Sequence, residues 1–264
     1  AAARVQDGLY DRMIDWAADF GSNGMGVGRF EPKDYYSSAG SRGILLKDYE
    51  LSKNFSLFKG KLRPGLKFHS GNPINSQVVH WNFEAMLKGK TASGPWLKLL
   101  RISSPEQIRI IDDLTFEIEL EGPNPLFWPL ISNDNDALID MAVAMEHASD
   151  DDPYADDWLR KNPAGGGPYM LEKWAPGEET ILKRWSGYWR SNEVLNDRIV
   201  VKIVPDATER ALLIRRGAVD MAQGILPRDL KEMETENGLR VVSVPIPNAV
   251  WLGMNWKTPP LDNI

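Results

Sequence analysis

The chain is most informative in its middle, where it runs Asn162-Pro-Ala-Gly-Gly-Gly-Pro-Tyr-Met-Leu-Glu-Lys-Trp174. The three glycines are followed by Pro168-Tyr169, whereas a Walker loop needs Gly-Lys-Ser/Thr there, so that an ammonium and a hydroxyl reach phosphate and magnesium. Tyr169–Trp174 and Thr180–Arg184 then flank a turn at Pro176-Gly177. The stretch therefore predicts a glycine-rich loop that leads into a β-hairpin, not a nucleotide site.

Beyond the hairpin, the pattern changes to alternating strands and helices. The continuous apolar run Ile199–Val204 predicts a strand, and Asp206 or Thr208 is placed to cap the helix after it. Since no hairpin turn follows this strand, the segment predicts a right-handed βαβ unit with a parallel strand pair. The helix is expected to run to Arg216 and end at Gly217, followed by a strand at Val219–Met221, a helix at Asp229–Glu236 and a strand at Leu239–Val244.

Upstream of the loop, the sequence predicts antiparallel strands and one amphipathic helix. Leu62–Phe68 contains two short strand pieces around a Pro-Gly turn, and Ser76 is placed to cap a helix. Ser37–Gly43 is expected to be a flexible turn. The apolar face of the helix comprises Val79, Phe83, Met86 and Leu87, and the hairpin after it places Ile108 and Ile110 on one strand and Phe116, Ile118 and Leu120 on the other.

The order of these elements predicts an α/β protein with an inserted subdomain. Residues 51–165 are expected to form an α+β subdomain within an α/β lobe built from residues 1–50 and 166–264. The glycine-rich loop marks the end of the inserted segment, and the strand–helix–strand units lie beyond the hairpin that follows this loop.

Composition excludes several classes of function. The net charge of −6 over 264 residues argues against a nucleic-acid or anionic-membrane surface, which needs a basic face. The absence of cysteine excludes disulfides, cysteine-based zinc sites and thiol nucleophiles. No apolar run approaches the roughly 18 residues that span a bilayer.

Motifs of common enzymes are missing. Gly24–Gly28 fails the dinucleotide fingerprint because Arg29 stands where the third glycine is required, and there is no Gly-x-Ser-x-Gly elbow. His69, His80 and His147 lack the spacing of a paired metal site, so we expect them to be packing or surface residues. No cofactor is expected.

The acidic stretch Asp150–Asp157 is expected to be a solvated loop, with weak calcium binding as the alternative. Asp134, Asp136 and Asp140 do not form an EF-hand loop, because the glycine at its sixth position is missing.

Ten tryptophans suggest stacking surfaces for sugars or peptide side chains. Trp174, Trp185 and Trp189 alternate with polar residues near hairpins and are expected in the core. Trp251 and Trp256, which lie among glycine, proline and asparagine, are better candidates for the wall of a ligand site.

Several segments, in order, resemble the extracytoplasmic solute-binding proteins of ABC importers, family 5, which includes oligopeptide, dipeptide and nickel binders. They cover nearly the whole chain. Besides the glycine-rich Pro-Tyr loop, the matching segments are Asp7-Gly-Leu-Tyr10, Leu62-Arg-Pro-Gly-Leu-Lys-Phe-His69, Tyr188-Trp189, Pro205-Asp-Ala-Thr208 and Gly253-Met-Asn255.

The resemblance implies a type II periplasmic-binding-protein fold with an extra subdomain, truncated after its first lobe. Ligand is expected in the cleft between this α/β lobe and a second lobe, trapped by hinge closure. The second lobe is expected to be missing after Pro260, or to be a separate chain. Ligand contacts on the first lobe are expected at Tyr10, Trp16, Asn248, Trp251 and Asn255.

The implied function is the capture of oligopeptides or a similar extended solute, without chemistry, for an ABC importer permease. The expected location is periplasmic or otherwise extracytoplasmic, as a secreted protein or an anchored lipoprotein. Three alternatives stay open: an oligosaccharide-binding member of the same family, an interaction module that kept the fold without transport, and, more distantly, a glycoside hydrolase.

Overall fold

The structure is a computed structural model that describes residues 2–16, 38, 41–90, 94–132, 137–242, 255, 257 and 259. It divides the chain into two compact units, Ala1–Pro205 and Asp206–Ile264. Every strand within the described residues belongs to the first unit.

The first unit holds three antiparallel sheets. One pairs β1 (Ile14–Trp16) with β2 (Ser41–Gly43). A four-stranded sheet contains β3 (Leu46–Leu51), β4 (Leu57–Leu62), β5 (Ile108–Ile110) and β6 (Thr115–Glu119), in the order β3-β4-β6-β5. A three-stranded sheet contains β7 (Tyr169–Ala175), β8 (Glu179–Arg184) and β9 (Arg198–Lys202), with β8 in the centre.

The described helices are mostly short. Those of the first unit are α1 (Ala2–Leu9), α2 (Ser76–Lys88), α3 (Gly94–Leu99), α4 (Phe127–Ile131), α5 (Met141–Met145) and α6 (Asp156–Leu159). Those of the second unit are α7 (Ala207–Arg215) and α8 (Pro227–Met233).

Helix α2 and the four-stranded sheet enclose the main core. Phe58 of β4 is fully buried, with its ring centroid 4.9 Å from that of Phe127. The predicted apolar face of α2 is confirmed, since Val79 and Phe83 are buried in this core and the remaining two residues pack against it. Burial of such aliphatic and aromatic side chains is the main term that stabilises the subdomain.

The start of α2 differs by one residue from the prediction. Asn75, not Ser76, is the cap: its backbone is extended and its side chain accepts the Val78 N–H at 3.1 Å. Ser76 is already helical, and its hydroxyl donates to the Asp112 carbonyl in the turn of the β5–β6 hairpin. Ser76 thus fixes the first turn of the helix to that hairpin.

Helix α1 lies against the three-stranded sheet at very short range. A Cβ atom on Gly8 would be 2.9 Å from Cδ1 of Leu182, closer than side chains pack. Leu182 is buried together with Leu9 and Tyr169 in a small second core. The absence of a side chain at Gly8 is what allows this approach.

A β-bulge in β7 decides which side chains face α1. Leu171 pairs with Leu182 and Lys173 with Ile181, so Glu172 is the extra residue. In a regular strand Lys173 would share the face of Leu171, because side chains alternate. The bulge places Trp174 on that face instead.

The glycine-rich loop is packed against the end of α1. The Gly167 N–H donates to the Leu9 carbonyl at 3.0 Å, and the His69 N–H donates to the Gly165 carbonyl at 2.9 Å. A Cβ on Gly167 would lie 2.6 Å from the Tyr10 backbone nitrogen, and one on Gly165 would collide with the Leu9 carbonyl oxygen. The lack of side chains at the three glycines therefore allows the backbone of the loop to contact the backbones of neighbouring segments.

The His69 imidazole completes this contact. Its Nε2 lies 2.9 Å from the Gly167 carbonyl, and its ring meets that of Trp185 edge-on at 4.8 Å. Burial lowers the pKa of His69, so the neutral ring donates from Nε2. This is the packing role that the sequence predicted.

The parallel strand pair predicted after the hairpin is not found in the described residues. β9 pairs with β8 in antiparallel register, and Val219–Met221 forms no strand. Met221 is 71% exposed, so this short apolar run is not covered by a sheet neighbour. Leu239–Val242 is likewise not a strand, and the rest of that prediction falls outside the described residues.

Three smaller predictions also need correction. Ser41–Gly43 is a strand rather than a flexible turn, because the buried Ser41 hydroxyl bonds Ser132 at 2.9 Å and pairing with β1 orders the segment. Ile110 is 41% exposed, since β5 is an edge strand. Helix α8 begins two residues earlier than predicted, at Pro227, a residue suited to the first helical turn.

The acidic stretch Asp150–Asp157 is not simply solvated, as the sequence predicted. Asp152 accepts the N–H groups of Asp156 and Asp157, the first two residues of α6, at 3.1 and 2.9 Å. Asp156 accepts the Lys90 N–H at 2.7 Å. These carboxylates satisfy backbone donors, which accounts for their burial.

In the second unit, α7 has the predicted cap and end. The Asp206 side chain accepts the Glu209 N–H at 2.7 Å, and Gly217 follows the helix with φ +64. Arg215 lies 3.0 Å from Glu232 and 2.9 Å from Glu236, which links α7 to the α8 region.

We predict that Gly167→Ala lowers the free energy of unfolding by about 2–3 kcal/mol, because the new methyl group must displace backbone atoms. Urea titration would measure the change. Gly177→Ala is the matched control: its Cβ would meet nothing within 4 Å, so only the positive φ (+81) is strained, at a cost of about 1 kcal/mol. Equal losses in both variants would contradict the close-packed loop.

Candidate ligand-binding site

The segment after α1 is fixed in place by a buried carboxylate. Asp11 is 8% exposed and accepts hydrogen bonds from the Tyr188 hydroxyl at 3.0 Å and from the Trp189 indole N–H at 2.9 Å. Burial raises the pKa of Asp11, and the two hydrogen bonds and the Arg190 charge oppose that rise. Burial, and after it the charge of Asp11, raise the pKa of Tyr188, and Arg190 opposes that rise; the hydroxyl therefore stays a donor.

Trp189 joins this segment to the four-stranded part of the unit. Cζ of Arg190 lies 4.6 Å and Cζ of Arg63 lies 5.0 Å from its ring, distances typical of cation–π contacts. Arg63 also donates to the carbonyls of Ile44 and Gly43 at 2.8 and 3.3 Å. Trp189 is 36% exposed, so the prediction that it lies in the core is wrong.

A groove of about 520 Å³ opens beside α1, on the sheet face that α1 partly covers. Its floor is formed by one row of side chains that are paired across β7, β8 and β9. This row consists of Trp174, Thr180 and Val201, and the bulge in β7 places Trp174 in it. The neighbouring row, under α1, consists of Leu171, Leu182 and Ile199.

Trp174 is 48% exposed, which contradicts its predicted place in the core. Within the described residues, α1 covers the adjacent row of the sheet but leaves the Trp174 indole accessible in the groove. An accessible indole on an apolar floor offers a large, rigid contact surface.

The walls of the groove come from α1 and from the segment before the glycine-rich loop. Val5, Gln6 and Leu9 line one side, and residues 159–163 line the other. Tyr10 stands between them, and its hydroxyl accepts the Ala164 N–H at 3.2 Å. Burial raises the pKa of Tyr10, so the phenol is protonated and can also donate.

Few polar side chains line the groove, and the charged ones that the structure describes are positive. Arg160 and Lys161 line it, and none of the described lining residues is an aspartate or a glutamate. Gln6, Asn162 and Thr180 add amide and hydroxyl groups. A concave apolar surface with a few polar groups is the usual form of a small-ligand site.

The structure describes only part of the predicted ligand surface. Tyr10 lies in the groove. The Trp16 backbone belongs to β1, but its side chain lies outside the described residues, as do Asn248 and Trp251. Asn255 is exposed, belongs to the second unit, and accepts the Lys257 N–H at 3.1 Å. Trp256, the other candidate tryptophan, is also outside the described residues.

The described residues contain no cluster of three or more histidine and acidic side chains suited to hold a metal ion. Among the helices that are described, none is both long and apolar enough to cross a membrane.

The sequence does not predict most residues of the groove. It places Trp174 and Thr180 in a hairpin but not in a ligand site, because a β-bulge has no clear signature in one sequence and reverses the face on which the following side chains are expected. Lys161 stands next to the glycine-rich loop, but an isolated lysine gives no signal. Only spatial proximity to Tyr10 identifies them.

Fold and groove together define a structural class in which a lobe with an inserted subdomain carries a concave apolar surface. The sequence model of "Bacterial extracellular solute-binding proteins, family 5 Middle" matches residues 42–264, and the chain belongs to this family. The resemblance seen in the sequence is thereby confirmed.

Two curated relatives illustrate the family. The probable D,D-dipeptide-binding periplasmic protein DdpA of Escherichia coli K12 is 29% identical over 221 residues, which are 83% of this chain and 41% of the relative. The glutathione-binding protein GsiB of Pectobacterium atrosepticum is 27% identical over 223 residues, again 83% and 41%. The chain thus spans about two fifths of the length of these relatives.

Solved structures show the same fold. The dipeptide-binding protein of Pseudoalteromonas in complex with Met-Leu aligns with a TM-score of 0.75 at 20% identity, over 98% of this chain and 49% of that one. HbpA2 of Haemophilus parasuis aligns with a TM-score of 0.74 at 19% identity, over 99% and 50%. The type II periplasmic-binding-protein fold with its inserted subdomain is confirmed. The predicted boundaries, 51–165 within 1–50 and 166–264, stay a prediction.

We predict that Asp11→Asn changes how stability depends on pH. A carboxyl whose folded pKa lies above its ordinary value of 3.8 contributes stability below 3.8, and that contribution is lost as the pH rises through the folded pKa. The wild-type free energy of unfolding, minus that of the variant, should therefore fall as the pH rises from below 3.8 to neutrality.

Urea titrations at a series of pH values would measure this difference. Asp48→Asn, which changes an exposed carboxylate on β3, is the control. A difference for Asp11→Asn that stays constant with pH would show that the buried carboxyl does not titrate as described.

Proposed function

We propose that this chain is the first lobe of a solute-binding protein that captures oligopeptides for an ABC importer. The observation that carries the proposal is the family match over residues 42–264, more than four fifths of the chain. The relatives named for D,D-dipeptides and for glutathione support a ligand built from amino acids. The ligand is bound and released without covalent change.

The groove supports an extended ligand with backbone amides. Its floor is apolar, which suits side chains, and its few polar groups are mainly amides and hydroxyls that can pair with peptide N–H and C=O groups. At about 520 Å³ it falls within the usual range of ligand pockets, roughly 300–1,000 Å³. The other predicted contacts, Trp16, Asn248, Trp251 and Asn255, belong to the same proposal.

The setting of the proposal is extracytoplasmic. A member of a bacterial extracellular family would act in the periplasm or at the outer face of the cell, secreted or anchored as a lipoprotein. Its partners would be a peptide, a permease, and a second lobe that closes over the ligand.

An oligosaccharide is the second candidate ligand. The specific observation in its favour is the Trp174 indole, which is 48% exposed in the groove and could stack on a sugar ring. The named relatives bind amino-acid compounds, so the peptide is preferred.

The first experiment is native mass spectrometry of the protein isolated from its natural host, then mixed with an equimolar pool of tripeptides or of oligosaccharides. We expect complexes with tripeptides. Complexes with oligosaccharides alone would replace the peptide by the second candidate. Binding of neither pool would contradict solute capture and favour an interaction module without transport.

We predict that Trp174→Ala weakens binding of the selected tripeptide about tenfold, whereas Trp174→Phe retains most of the affinity, because a ring still covers the floor. Isothermal titration calorimetry would measure both. Leu195→Ala is the control, since Leu195 is 88% exposed and does not line the groove. Unchanged affinity in Trp174→Ala would remove the groove from the binding site.

A further inference from the structure

Lys161 is the unusual cation of the groove. Its ammonium has no ion pair and no side-chain hydrogen bond among the described residues, although its neighbours are paired. Arg160 lies 3.6 Å from Asp157, and Lys90 lies 2.7 Å from the same carboxylate. Lys173, across the hairpin, lies 2.8 Å from Glu179.

The backbone that carries Lys161 is firmly held. The N–H groups of Lys161 and Asn162 donate to the Trp158 carbonyl at 3.0 and 3.1 Å, and the Asn162 side-chain amide donates to the same oxygen at 2.9 Å. The Trp158 ring itself stacks on His147 at 4.0 Å. The ammonium therefore extends from a fixed point on the groove wall.

The charges of the groove favour one end of a peptide. Among the described residues, Arg160 and Lys161 line it and no carboxylate does, in a chain whose net charge is −6. A peptide ammonium would meet no acidic partner among these lining residues, whereas a carboxylate would pair with Lys161. The Asn162 side-chain oxygen accepts no hydrogen bond within the described residues, so it can take the N–H of the last peptide group.

We propose that Lys161 binds the C-terminal carboxylate of the peptide, with the adjacent apolar side chain lying on Trp174. This inference rests on the proposed function, and it assigns a direction: the C-terminus enters at residues 159–163, and the chain runs along the floor toward β9. Lys161 is then a specificity-determining residue that distinguishes free peptides from those without a terminal acid.

The test compares two ligands, each with two forms of the protein. The protein from its natural host and its Lys161→Met variant are titrated with a pool-selected tripeptide and with the same tripeptide bearing a C-terminal amide. We expect amidation to weaken binding to the wild type about five- to tenfold, as the loss of a partly exposed charge pair should. Lys161→Met should bind both forms alike, at the affinity of the wild type for the amide.

Controls separate this inference from the function on which it rests. Lys161→Arg should restore most of the preference for the free acid, and Lys53→Met, at an exposed turn, should leave it unchanged. Equal affinity of the wild type for acid and amide overturns the carboxylate contact while peptide capture stands. A preference that persists in Lys161→Met overturns the role of Lys161. Binding of neither form overturns peptide capture itself.

Discussion

The contact of the glycine-rich loop with the end of α1 is the constraint on which the first unit depends. Backbone meets backbone there, with no room for a Cβ atom on Gly165 or Gly167. Because the two segments are far apart in sequence, this contact closes a long loop and places α1 on the sheet. The groove exists because α1 is held over the row of Leu171 and Leu182 and does not cover the neighbouring row, which contains Trp174.

Hydrogen bonds among buried polar side chains favour this arrangement of the segments over alternative packings. The Asp11 carboxylate lies next to the loop contact and must accept two side-chain donors to compensate for its lost hydration. Those donors, Tyr188 and Trp189, come from the segment between β8 and β9, and Arg63 connects Trp189 to the four-stranded sheet. A buried carboxylate that depends on these two donors tolerates few alternative packings.

The sequence predicted features that depend on local pattern. The α2 face and both hairpins follow from periodicity and turn residues, and the family from a series of ordered motifs. What it missed depends on non-local geometry. The partner of β9, the exposure of Trp174 and the burial of Asp152 are set by neighbours distant in sequence. Of the predicted ligand contacts, Tyr10 lies in the groove and belongs to the Asp7-Gly-Leu-Tyr10 motif, whereas Lys161 belongs to no motif.

The bulge in β7 also bears on how such a protein can vary over evolution. Loss of one residue between Leu171 and Trp174 would restore regular pairing with β8 and leave both side chains on the same face. A deletion in β8 would instead shift two ladders at once, because that strand is paired on both edges. Insertions and deletions should therefore accumulate in the edge strand β7, because a change in its length can still leave the Trp174 indole on the floor of the groove.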